Sequence, residues 1–182
     1  TRKPTQPESE KLVLLFNEDA CRFEELVGGK GASLAVLSSN VQSSPINCNV
    51  PRGFCVTDNA WKTQTQNDET LKSLFKKLED EAKGAADGDL KYACDEAAKY
   101  LSSTPINSFV KDCIREALQE LFGDEWETKQ FAVRSSALGE DGEEASSAGQ
   151  NATILGCKGL EAIHKGLASR SWQPSASKDC QR

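Results

Sequence analysis

A chain of 182 residues with a formal net charge of -6 lacks the basic face that a nucleic-acid footprint needs, so any phosphate-binding capacity must be local. The longest unbroken apolar run, Leu12 to Phe16, is far shorter than the ~20 residues of a membrane helix, and the opening TRKPTQPESE has no signal-peptide core. The length suits one domain or one lobe of a larger one, and the chain reads as cytoplasmic, with neither nucleic acid nor membrane as a partner.

Residues 1–11 read as a polar, proline-containing lead. KLVLLF then reads as a buried strand that stops at the turn-like NED. The following LVGGKGASLAVLSS places glycines ahead of Leu34 and Leu37, the pattern of a loop entering a helix. In VPRGFCVT, the run GFCVT is a short strand, with Thr57 or Asp58 able to cap the next helix.

Three helical patterns occupy the middle of the chain. Leu71, Leu74, Phe75 and Leu78 share a face, as do Leu90, Ala93, Cys94, Ala97, Ala98 and Leu101. In the third, Thr104 can cap and Pro105 suits the first turn. Its stripe runs through Ile106, Phe109, Val110, Cys113, Ile114, Ala117, Leu118 and Leu121 before Gly123 ends it. The period then changes: QFAVRSS reads as a strand, NATILG as its partner and GLEAIHKGL as another helix.

Seven cysteines, scattered and without a CxxC pair, fit reduced thiols. With one histidine, His164, and no ligand spacing, zinc is not expected, and His164 itself reads as a surface or packing residue. The NAT at Asn151 matches a glycosylation sequon, which carries little meaning without a secretory signal.

Two segments carry phosphate chemistry. In GGKGAS, glycines let backbone amides approach an anion, a helix N-terminus aims its free amides at it, and Lys30 adds a mobile cation. The spacing is not that of a Walker A loop, because Glu24 and Gly31 stand where that motif needs glycine and a hydroxyl residue. A glycine turn with a solvated lysine is the alternative. In AVRSS, a strand delivers Arg134 for bidentate phosphate contact, with the hydroxyls and amides of Ser135 and Ser136 beside it. A salt bridge to a nearby acid is the alternative there.

VGGKGASLAVL, VPRGFCVT and FAVRSSALGEDGEEASSAGQNATILG, in that order, resemble the amino-terminal ATP-binding domain of phosphoenolpyruvate synthases, pyruvate phosphate dikinases and rifampicin phosphotransferases. The likeness runs from about residue 12 to about residue 168. It implies an α+β, ATP-grasp-like lobe, a mixed sheet with flanking helices, with nucleotide held between this lobe and a second one. It further implies that Lys30 and Arg134 contact ATP phosphates, and that Gly149, Gln150 and Thr153 lie in or beside the covering loop. Magnesium would accompany ATP, its ligands coming from the second lobe, and a histidine on a swivelling domain would carry the phosphoryl group to an acceptor. On this reading Glu140, Asp141, Glu143 and Glu144 form a solvent-facing loop tip that does not touch phosphate.

The sequence departs from the family in two ways. The second lobe, the phosphohistidine domain and the acceptor domain have no counterpart in these residues, and His164 matches no catalytic position. After Ser169 the polar RSWQPSASKDCQR replaces an apolar helix, so residues 169–182 read as a divergent tail. No catalytic residue and no metal ligand is expected within the chain. The missing lobe or another protein is expected to meet exposed apolar surface. A non-catalytic interaction protein, or a truncated product built on the same lobe, stays open beside the ATP-binding reading.

Overall fold

The computed structural model describes residues 3–41, 49–84, 89–136 and 153–168. Helices dominate: α1 (Gln6–Glu10), α2 (Glu24–Val41), α3 (Asp58–Thr65), α4 (Glu69–Ala82), α5 (Leu90–Ser103), α6 (Ser108–Phe122) and α7 (Gly159–Gly166). The strands are β1 (Val13–Leu15), β2 (Phe54–Val56), β3 (Gln130–Arg134) and β4 (Thr153–Lys158), with 3-10 turns at Asp19–Arg22 and Gly123–Glu127. A mostly helical chain with two small sheets is compatible with the α+β class.

The mixed sheet expected from the sequence is corrected here. Among the described residues there are two separate antiparallel pairs, β1 with β2 and β3 with β4. The β1–β2 pairing continues one step beyond the strand ends, where the Phe16 amide donates to the Gly53 carbonyl at 3.1 Å, while the Leu15 amide donates to the Glu18 carboxylate at 2.9 Å.

Thr57 ties this first sheet to the helix after it. Its amide donates to the Leu12 carbonyl at 3.0 Å, its hydroxyl donates to the Lys11 carbonyl at 2.6 Å, and the same oxygen accepts from the Ala60 amide at 3.3 Å. One buried side chain thus extends the strand pairing and caps α3. Asp58, the other candidate cap, lies in the first turn and pairs with Lys62 at 2.6 Å.

Helices α4 and α5 form a hairpin held at one end by a shared cap. Asp68 accepts from the Leu71 amide at 2.9 Å, and the Tyr100 hydroxyl reaches the same carboxylate at 3.0 Å. The expected cap of α6 is also corrected. Thr104 closes α5, because the residue before Pro105 is driven to extended backbone. Asn107 caps α6 instead, accepting from the Phe109 amide at 2.9 Å, while Gln64 accepts from the Asn107 amide at 2.7 Å. The polar lead, too, holds more structure than its composition suggests: the Thr5 amide donates to Glu8 at 2.7 Å, the capping box of α1.

Two apolar clusters stabilise the fold. Val110, Ile114 and Leu118 of α6 pack with Val133, Cys157 and Ile163 of the second sheet and α7. Leu14, Cys21, Leu26, Val27, Ala32 and Ala35 form the other, beneath α2. The α6 stripe is narrower than its periodicity suggested, since Phe109 is 63% exposed. Truncating Ile114, which is fully buried, to alanine is expected to cost about 2–5 kcal/mol in denaturant unfolding.

His164 packs on α7 with its Nε2 buried and unpartnered among the described residues. Burial, and then the nearby cations Lys111 and Arg115, hold its pKa down at about 4, against a smaller opposing effect of Glu161. The fold therefore prefers the neutral ring. Its contribution is complete above the unfolded pKa of ~6.5 and is lost as pH falls towards the folded value. Unfolding free energies measured at about pH 7.5 and about pH 5.5 should show this decline, and His164→Gln should flatten it, because this is the only histidine.

Candidate functional site

The glycine-rich loop is less of a loop than the sequence suggested. Helical backbone runs from Glu24 to Val41 with one break, at Gly28 (φ 73, ψ 166). The break restarts the helix at Gly29, Lys30 and Gly31, whose amides lie in a first turn and lack intrahelical acceptors. Gly28 is required twice over. Its positive φ disfavours any side chain, and a Cβ there would lie 2.5 Å from the Ser136 carbonyl oxygen.

Strand β3 supplies the other half. Its alternation buries Val133 and exposes Arg134, which pairs across the ladder with Thr153 at the start of β4. The chain then turns inward, leaving Ser135 only 5% exposed, and its hydroxyl has no hydrogen-bond partner among the described residues. Ser136 closes the gap between the halves, accepting from the Gly31 amide at 2.9 Å. Residues separated by 105 positions are joined by this bond.

Lys30, Arg134, Ser135, Ser136 and Thr153 all line one cleft of about 1220 Å³. Its deeper wall is apolar and includes Phe54, Trp61, Phe75, Phe131 and Ile163. Gly149 and Gln150, together with the acids from Glu140 to Glu144, lie outside the described residues. Two cleft residues had escaped sequence reading. Arg52 stacks its guanidinium 5.1 Å from the Phe122 ring centroid, and Cys55 sets its sulfur 2.7 Å from where a Cβ on Gly31 would fall. The arginine beside Pro51 and Gly53 was a signal in plain view, whereas nothing local marks Cys55.

Lys129, at the same cleft, pairs with Glu125 at 2.9 Å; this contact, ahead of weaker help from Arg52, holds the Glu125 carboxyl below its ordinary range. Among the described residues no three of His, Cys, Asp and Glu are grouped to hold a metal ion. None of the helices there is long and apolar enough to cross a membrane.

Such a cleft, lined by the restart of α2, by Lys30 and Arg134 and by apolar side chains, has the chemistry of a nucleotide or phosphate-ester site. Comparison with known proteins narrows this. The family model described as pyruvate phosphate dikinase, AMP/ATP-binding domain, matches residues 24–178. Phosphoenolpyruvate synthase of Escherichia coli (strain K12) is 34% identical over 157 residues, 85% of this chain and 19% of the relative. Rifampicin phosphotransferase of Bacillus subtilis (strain 168) is 34% identical over 161 residues, 88% of this chain and 17% of the relative. Phosphoenolpyruvate synthase of Helicobacter pylori (strain ATCC 700392 / 26695) is 32% identical over 157 residues, 85% and 19% respectively. The chain belongs to the pyruvate phosphate dikinase AMP/ATP-binding domain family, and it spans about a fifth of the length of these curated relatives.

Replacing Gly28 by alanine is expected to destabilise the chain by more than about 1 kcal/mol, through both strain and the clash with Ser136. Gly84, with φ +66 and nothing within 4 Å of its would-be Cβ, is the control. Gly84→Ala carries backbone strain without a clash, so it should cost less than Gly28→Ala in denaturant unfolding.

Proposed function

We propose that the chain is the first lobe of an ATP-grasp-like nucleotide site, in which Lys30 and Arg134 contact the phosphates of ATP. The observation that carries this reading is the bond from the Gly31 amide to the Ser136 hydroxyl. It holds the restart of α2 against the end of β3, so two cations far apart in sequence open on one cleft. Lysine serves as a compact, mobile charge and arginine as a planar bidentate donor, a division of labour suited to adjacent phosphates. The Ser135 hydroxyl, buried and unsatisfied among the described residues, gains a partner if it donates to a phosphate oxygen. Thr153, across the ladder from Arg134, sits at the rim. Gly149 and Gln150 complete the proposal as part of the covering loop.

Membership in an AMP/ATP-binding domain family supports a nucleotide as the ligand. The relatives' names support an ATP-dependent phosphotransferase of dikinase type as the larger activity, with the phosphoryl acceptor selected outside these residues. Magnesium enters as the companion of ATP. Among the described residues no three of His, Cys, Asp and Glu are grouped to hold it. We assign residues 12–168 to the lobe, 1–11 to the lead and 169–182 to a divergent tail, in a cytoplasmic protein. A second reading, an interaction module on the same lobe, draws support from Val36 and Leu37, exposed side by side on α2 at 41% and 51%.

Thermal unfolding with and without magnesium and ATP separates the two. Nucleotide at about 100 times its dissociation constant should add ~2.7 kcal/mol. Lys30→Ala and Arg134→Ala should each remove about 1.5–3 kcal/mol of binding free energy, the range for a hydrogen bond to a charged group. A cooperative transition that ATP leaves unmoved would overturn the nucleotide reading in favour of the interaction module.

A further inference from the structure

The mechanism above leaves unused a pair of cysteines beneath the glycine segment. Cys21, in the 3-10 turn Asp19–Arg22, is fully buried, and its thiol donates to the Leu14 carbonyl at 3.7 Å. Leu14 stands directly opposite Cys55 in the β1–β2 ladder. Cys55 packs against the same apolar cluster that contains Cys21. The neighbouring Cys55 thiol, and then burial, push the Cys21 thiol far above the ordinary thiol range.

Cys55 also reaches the cleft. It is half-buried and lines the cleft, and its sulfur fills the space that a side chain on Gly31 would take. Gly31 is the residue whose amide holds Ser136. The sulfur of Cys55 is therefore a piece of the floor under the restart of α2. The next nearest side-chain atoms to that would-be Cβ belong to Val27, at 3.2 and 3.3 Å.

We propose that Cys55 is a thiol-oxidation site and Cys21 its resolving partner, and that a Cys21–Cys55 disulfide withdraws the support under Gly31 and releases the nucleotide. The releasing effect rests on the nucleotide reading above; the modification site does not. The oxidant is a peroxide. The Cys55 sulfur attacks one oxygen of hydrogen peroxide, breaking the O–O bond and giving a sulfenic acid and one water. The Cys21 sulfur then attacks the Cys55 sulfur, forming the S–S bond and breaking S–O. The Cys21 proton leaves with the hydroxide as a second water. Two thiols have been oxidised by two electrons and one peroxide reduced to two waters.

The order of the steps follows from exposure and acidity. Cys55 is open to the cleft, whereas Cys21 is sealed and keeps its proton until an electrophilic sulfur is beside it. An S–S bond of about 2.05 Å is far shorter than a contact between two thiols, so closing it draws the Cys55 sulfur towards Cys21 and disturbs its packing under Gly31.

The full chain, treated with hydrogen peroxide, alkylated and digested without reductant, should yield a Cys21–Cys55 cross-linked peptide by mass spectrometry. The ATP-dependent rise in melting temperature should disappear with it and return on treatment with a phosphine reductant. In Cys21→Ala, dimedone should label Cys55 and no disulfide should form on it. Absence of the Cys21–Cys55 peptide from peroxide-treated, still folded protein would overturn the proposal, as would pairing of Cys55 with Cys48 instead. A disulfide that forms but leaves the ATP shift intact would overturn the release. If the reduced chain shows no ATP shift and the disulfide still forms, the nucleotide reading fails and the modification site stands.

Discussion

The amide of Gly31 must find its acceptor outside its own helix. As a first-turn residue after the break at Gly28 it has no carbonyl of its own helix to bond, and the Ser136 hydroxyl takes it at 2.9 Å. The constraint propagates in both directions. On one side Gly28 must remain without a side chain, since the Ser136 backbone sits where its Cβ would be. On the other, β3 must end where it does, so that Arg134 faces outward, Ser135 turns in and Ser136 reaches across. The two sheets pack in one apolar cluster, and this contact joins α2 to the end of β3 at the cleft they share.

The charge pattern follows the same division. The chain as a whole is acidic, and much of its surface charge is spent in local pairs such as Lys72 with Glu69 and Lys165 with Glu161. Exposed pairs of this kind contribute little to stability. The cleft is different, because Lys30, Arg52, Lys129 and Arg134 line it against Asp58 and Glu79. Among the described lining residues the cations outnumber the carboxylates four to two, with Glu125 taking up Lys129 and Lys62 taking up Asp58. An acidic protein with a cationic cleft can attract a polyanion to one place and repel it elsewhere.

Much of the fold was legible because the signals are local. The strands KLVLLF, GFCVT and QFAVRSS, the cap at Thr57 and the stop at Gly123 each depend on a few neighbouring residues, and each is found where the sequence put it. What escaped depends on distant partners. Asn107 replaces Thr104 as the cap of α6 with the help of Gln64, 43 positions away, and no reading of the TPIN stretch alone can know that. The glycine segment read as a loop because three glycines are poor helix formers, yet burial against Ser136 and Cys55 keeps all but Gly28 helical. Of the candidate site residues, five line a common cleft, and that convergence came from family wording rather than from spacing. Arg52 and Cys55 were missed because their neighbours in space, Phe122 and Gly31, are not neighbours in sequence.

The wide separation of the two halves of the cleft has a consequence for how the site comes into being. During synthesis at about 5–20 residues per second, the glycine segment leaves the ribosome and then waits roughly 5–20 s for Ser136, 105 residues later. Through that interval α2 can form but the Gly31 amide has only water to bond, and nothing presses on Gly28. The helical middle of the chain, rich in contacts between near neighbours such as those of α4 with α5, can fold in the meantime. The cleft thus forms only after β3 has been made. A nascent chain carrying the whole glycine motif would have the wording of the site without the site itself.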